Sequence, residues 1–122
     1  FDLLGHCDLI KKRNTDHKYF NPQEPWYQRL TSHLLKTAKK QKVRLEVNTG
    51  GIARGAINET YPSMEMIREC AELGLSLTLS SDAHQSTHLD FYFAQATDLL
   101  IQAGYRTLDT LRHGIWQAAP IK

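Results

Sequence analysis

Apolar and polar positions along the chain follow two different periods. Phe1 to Gly5, Val43 to Val47 and Leu75 to Ser80 are short runs that read as strands. The longer stretches between them repeat every three to four residues. A helix is predicted from about Glu24 to Gln41, where Pro25 suits the first turn and Trp26, Leu30, Leu34 and Ala38 form an apolar stripe. A second is predicted from about Pro62 to Leu73, with Ile67, Cys70 and Ala71 inward and Gly74 as its stop. The third spans about Leu89 to Ala103, with Leu89, Phe93, Ala96, Leu100 and Ala103 on its inner face. Thr107 to Ile121 reads as a hairpin turning at Arg112-His113-Gly114. Strands separated by helices imply βα units around a parallel sheet.

The strands carry further information in their parity. Leu75, Leu77 and Leu79 share one face, and Ser76, Thr78, Ser80, Asp82 and His84 share the other. Val43, Leu45 and Val47 likewise oppose Arg44, Glu46 and Asn48. A doubly wound sheet buried on both faces favours continuous apolar runs. An α/β barrel, with helices outside and a polar lumen, accounts better for the alternation. Functional groups would then gather at the C-terminal strand ends. Those ends read Gly5-His6-Cys7-Asp8, Glu46-Val47-Asn48-Thr49-Gly50-Gly51 and Ser80-Ser81-Asp82-Ala83-His84.

Composition narrows the class. The 122 residues carry 15 basic and 13 acidic side chains, a formal charge of +2, with 41% hydrophobic and 23% charged residues. These values describe one globular domain and argue against a disordered tail or a basic nucleic-acid arm. No apolar run approaches membrane-spanning length and no signal peptide opens the chain, so a cytoplasmic protein without membrane partners is expected. Cys7 and Cys70 form no CxxC pair, which suits a reducing compartment. Lys36, Lys39, Lys40 and Lys42 read as the solvated end of the first helix. Phe1 already lies in a strand, so the chain is expected to begin in the middle of a fold.

Asp82 and His84 form the sharpest candidate pair. Their i, i+2 spacing at a strand end can aim a carboxylate and an imidazole into one mouth, a donor set suited to zinc, manganese or iron. The competing reading is a loop Asp that caps the next helix beside an incidental His. His6, ending another strand, favours the metal. Glu46 and Asn48 share the lumen parity, either as groups that orient a ligand and substrate or as a buried polar pair satisfied by backbone. Gly50-Gly51 with Arg54 and Gly55 makes a flexible loop able to cradle an oxyanion. Arg13 is either a second phosphate clamp or a solvated surface residue. His33 is expected to be partly buried, His113 to lie in the hairpin turn, and His17 and His88 to lie in loops near the mouth. Cys7, of opposite parity to His6, is expected to be a small buried hydrophobe. No nucleophile elbow or P-loop occurs.

Leu4-Gly5-His6-Cys7-Asp8-Leu9, Glu46-Val47-Asn48-Thr49-Gly50-Gly51, Tyr61-Pro62-Ser63 and Leu79-Ser80-Ser81-Asp82-Ala83-His84 together resemble the histidinol-phosphatase branch of the PHP (polymerase and histidinol phosphatase) family. The resemblance implies a distorted (β/α)7 barrel and hydrolysis of L-histidinol phosphate in histidine biosynthesis, with a cluster of up to three divalent metal ions. It implies that His6, Asp82 and His84 are metal ligands, that Arg13 and Arg54 hold the substrate phosphate, and that Asp82 steers the proton of the attacking water. The family's H-x-H motif, further histidines and bridging glutamate have no counterpart in this sequence. Residues 1–122 are therefore expected to be the C-terminal part of a single PHP domain. The partner implied is a small phosphate ester, with no nucleic acid, and the raw barrel edges mean either a truncated or cleaved portion of the domain or a second copy that covers them. Other phosphoesterases of the family and a non-catalytic metal-binding or interaction module are the alternatives.

Overall fold

The computed structural model describes residues 1–122. It is a mixed α/β structure built on a three-stranded parallel sheet with an antiparallel hairpin beside it. Strands β1 (Leu3–Leu4), β2 (Arg44–Asn48) and β3 (Leu77–Ser80) lie in sequence order. Leu45 of β2 sits opposite Leu4 on one side and Leu77 on the other. Helices α1 (Pro25–Lys40) and α3 (Met64–Leu73) make the two crossovers, as the alternation of periods predicts.

Local chemistry fixes the element ends. Pro25 opens α1, where its missing N–H costs nothing. Ser63 caps α3 by accepting from Met66 N–H, and Gly74 ends it in a left-handed conformation (φ 64°). Lys39, at the end of α1, donates to the Gly74 carbonyl at 2.6 Å and so ties the two helix ends together. The hairpin of β4 (Thr107–Arg112) and β5 (Ile115–Pro120) turns at His113-Gly114, both with positive φ, as a tight hairpin requires. The core joins Leu35 and Ala38 of α1, Leu45 and Val47 of β2, Met66, Ile67 and Cys70 of α3, Leu75 and Leu77, and Leu100.

Four expectations need correction. The face of α1 that packs inward is Tyr27, Leu35 and Ala38, while Trp26 and Leu30 are 37% and 62% exposed. An i, i+4 stripe drifts by about 40° per step around a helix, and three strands are too narrow to cover its whole apolar arc. His33 is exposed for the same reason. The predicted third helix is shorter: a turn at Ser86–His88 precedes α4 (Phe93–Gln102), Tyr92 interrupts with φ 65°, and Leu89 is 66% exposed. Gly50-Gly51 is no flexible loop, because Gly50–Ala53 forms a short helix, α2, with both glycines buried. Cys7 and Cys70 are free, as expected, and no helix is long and apolar enough to cross a membrane.

Candidate active site at the strand mouth

The C-terminal ends of the three strands open onto one region, and the exits of β1 and β3 are bent out of regular conformation. His6 after β1 has φ 27°, and Asp82 after β3 has φ 47°. L-residues adopt such angles only when their surroundings hold them there. The bend at Asp82 keeps it beside His84, with Nε2 3.5 Å from Oδ1, so the i, i+2 spacing does bring the pair together.

Arg54, the residue following α2, reaches across to β3's exit. It donates to the Asp82 carbonyl at 2.8 Å and to Asp82 Oδ2 at 2.7 Å. Burial pushes the Asp82 carboxyl up, but the Arg54 bond and charge, with His84 and Asn48, outweigh it and hold the carboxyl below its usual range. Gly50 makes this approach possible. A Cβ there would lie 2.7 Å from the Ser81 carbonyl oxygen and 2.9 Å from the guanidinium.

Glu46 and Asn48 belong to one hydrogen-bond chain. Glu46 Oε2 accepts the His6 backbone N–H at 2.8 Å and the Asn48 amide at 3.1 Å. Asn48 Oδ1 in turn accepts the Gly50 N–H at 2.9 Å. Thr49, fully buried, donates its hydroxyl to the Phe91 carbonyl at 2.9 Å and anchors the loop entering α4. Arg13 is exposed on the turn after β1, and its backbone N–H donates to the Ala56 carbonyl, next to the Arg54 loop. Arg13 and Arg54 thus lie on loops that are joined, while only Arg54 touches the Asp82–His84 pair. His17 and His88 end the 3-10 turns Thr15–His17 and Ser86–His88 instead of lying in irregular loops, and His88 packs its ring 5.7 Å from Phe91.

One feature was not legible in the strand pattern. Asp8 is 2% exposed and Lys11 3% exposed, and the two form an ion pair at 2.8 Å behind the His6 turn. Burial pushes the Asp8 carboxyl up against the pull of Lys11 and of the Ser63 N–H. Cys7, the residue before Asp8, is half-buried, and burial, with the Asp8 charge adding, pushes its thiol up to about 12, which disfavours a thiolate.

A carboxylate held ionised beside an imidazole suits a borderline divalent ion. No three His, Cys, Asp or Glu side chains gather closely enough to enclose one. The residues present fit two positions of a coordination sphere, which Asp82 and His84 would fill.

No family model matches the chain. It is 37% identical over 113 residues to a probable histidinol-phosphatase of Deinococcus radiodurans, an alignment covering 93% of this chain and 40% of that protein. The crystal structure of a protein named as a histidinol phosphatase from Listeria monocytogenes superposes with a TM-score of 0.69 over 76% of this chain and 35% of that one. At 21% identity that second likeness concerns the fold alone. The chain therefore spans less than half the length of the proteins it matches. The resemblance carried by its motifs is borne out as similarity: in sequence to the Deinococcus protein over part of its length, with the fold of the Listeria protein in support.

Proposed function

We propose that this chain forms part of a metal-dependent phosphomonoesterase that hydrolyses L-histidinol phosphate to histidinol and phosphate. The observation that carries the reading is the 37% identity over 113 residues to a probable histidinol-phosphatase. The Asp82–His84 corner at a strand mouth supports it chemically.

In this reading Asp82 and His84 hold one edge of a metal site, and His6, as the motif resemblance implies, supplies a ligand to the same metal cluster from the turn after β1. A bound divalent ion supplies Lewis acidity toward the phosphoryl oxygens and lowers the pKa of water. Arg54 neutralises Asp82 while the site is empty of ester and turns part of its donor fork to the phosphate when one binds. Arg13 adds a second guanidinium from the joined turn. Asp82, ionised at neutral pH, accepts the proton released by the attacking water. Glu46 fixes the His6 turn through its backbone N–H, and Asn48 fixes Glu46.

The three-stranded sheet is read as one sector of a PHP-type barrel, with residues 1–122 as its C-terminal part. The free edge of β1 and the apolar groove beside it, formed by Phe1, Leu4, Leu34, Ala38 and Val43, support that architecture. Further ligands come from the rest of the barrel or from a second copy.

The test pairs elemental analysis of the intact protein with phosphate release from L-histidinol phosphate. Asp82→Ala and His84→Ala should each lose metal and at least about a hundredfold in turnover. Full metal content and rate in either variant would remove that residue from the site. Bound metal without phosphate release would leave a binding module instead of an enzyme.

A further inference from the structure

Behind the His6 turn lie two charged side chains that the mechanism above does not use. Asp8 and Lys11 are 2% and 3% exposed, deeper than charges normally go without a reason. Lys11 Nζ lies 2.8 Å from Asp8 Oδ2 and 2.9 Å from Glu59 Oε1, and sits 5.7 Å from the centre of the Tyr61 ring. Asp8 Oδ2 also accepts the N–H of Ser63 at 2.9 Å. The turn after β1 is thereby bolted to the segment from Glu59 to Ser63. That segment is itself fastened to β2, because Tyr61 and Asn48 exchange backbone bonds of 2.7 and 3.0 Å. Asn48 then leads through Glu46 back to the His6 N–H. The bonds close a ring whose least relaxed member is His6, at φ 27°.

Buried ion pairs are poor sources of stability, since desolvation consumes most of what the attraction returns. Their better-attested use is to fix one arrangement. We propose that the Asp8–Lys11 pair is a positioning device, locking the His6 turn onto the Glu59–Ser63 segment and so setting His6 with respect to the Asp82–His84 corner. The inference rests on reading His6, Asp82 and His84 as metal ligands. Asp8 and Lys11 act only through the turn they hold.

The decisive variant is the double replacement Asp8→Leu/Lys11→Met in the intact protein, which leaves no buried charge unpaired. Mn2+ affinity is measured by calorimetry, alongside the thermal midpoint and kcat. The expected result is a folded protein with a midpoint near wild type and a Mn2+ affinity about 10- to 100-fold weaker, the range for groups that orient ligands. Its kcat should return as Mn2+ is raised in proportion, a rescue that a folding defect would not show. Asp8→Asn/Lys11→Met, which keeps an acceptor for Ser63, should give a smaller loss and stands in if the first variant does not fold. Wild-type Mn2+ affinity in either folded double variant would overturn the positioning role while leaving the site reading intact. Unchanged affinity in His6→Ala would overturn both.

Discussion

The middle of the sheet and its mouth are made from the same three strands yet are held by different forces. In the middle, Leu45 and Leu77 pair across β2 and β3, with Leu35, Ile67 and Leu100 packed over them, all at most 1% exposed. This region is regular, apolar and non-directional. At the mouth, two residues beyond the ends of β1 and β3, His6 and Asp82 adopt positive φ. Side-chain hydrogen bonds replace packing there, as in Glu46 to the His6 N–H and Arg54 to Asp82. The core supplies surplus stability, and the mouth spends it on awkward backbone that brings unlike groups together.

If that division is sound, damage to one region should be readable separately from damage to the other. Leu45→Ala should cost about 2–5 kcal/mol of unfolding free energy and leave metal affinity per folded molecule unchanged. Denaturant titration beside calorimetry checks this, and a matching loss of affinity would mean that core and mouth are one unit. Gly50→Ala puts a methyl against the Ser81 carbonyl. It should cost about 1–3 kcal/mol, the usual range for overpacking, but with the opposite emphasis, weakening metal binding through displacement of Ser81 and Asp82.

The finest effect concerns acid. In the folded protein the Asp82 carboxyl lies below its ordinary 3.8 because of Arg54. A depressed acid stabilises the fold fully above that ordinary value, and the contribution disappears as pH falls through the lowered one. In metal-free buffer, the stability gap between wild type and Arg54→Met should therefore be flat from neutral pH to about pH 4 and close below it. A gap that persists unchanged at pH 2 would show that Arg54 acts through packing and not through the Asp82 charge.

The sequence reveals the two regions unequally, and for physical reasons. The helix stop and the hairpin are set by neighbours in the chain, so Gly74 and His113-Gly114 declare themselves, while the start of α3 after Ser63 lies two residues beyond the expected Pro62. The closeness of Asp82 and His84 is likewise local. Which side of α1 is buried depends on how wide a sheet lies beneath it, and that is a property of the assembled fold. Asp8 meets Ser63 across 55 positions, and nothing near Asp8 announces a buried charge. Gly-Gly argues against helix on propensity alone, and α2 forms there because only hydrogen atoms fit between its backbone and Ser81, Ile57 and Tyr61. The motif resemblance located the mouth, but the bonds that brace it belong to tertiary structure.

The brevity of β1 has a consequence of its own. Only Leu3 and Leu4 join the ladder to β2. A strand held by so few rungs is the natural place for local opening, at a free energy well below that of global unfolding. When those rungs part, the His6 amide is retained by Glu46, and the turn beyond it by the Glu59–Ser63 segment. Opening of these rungs and integrity of the mouth are thus separate events: the β1–β2 ladder can part without dismantling the group of residues that follows it.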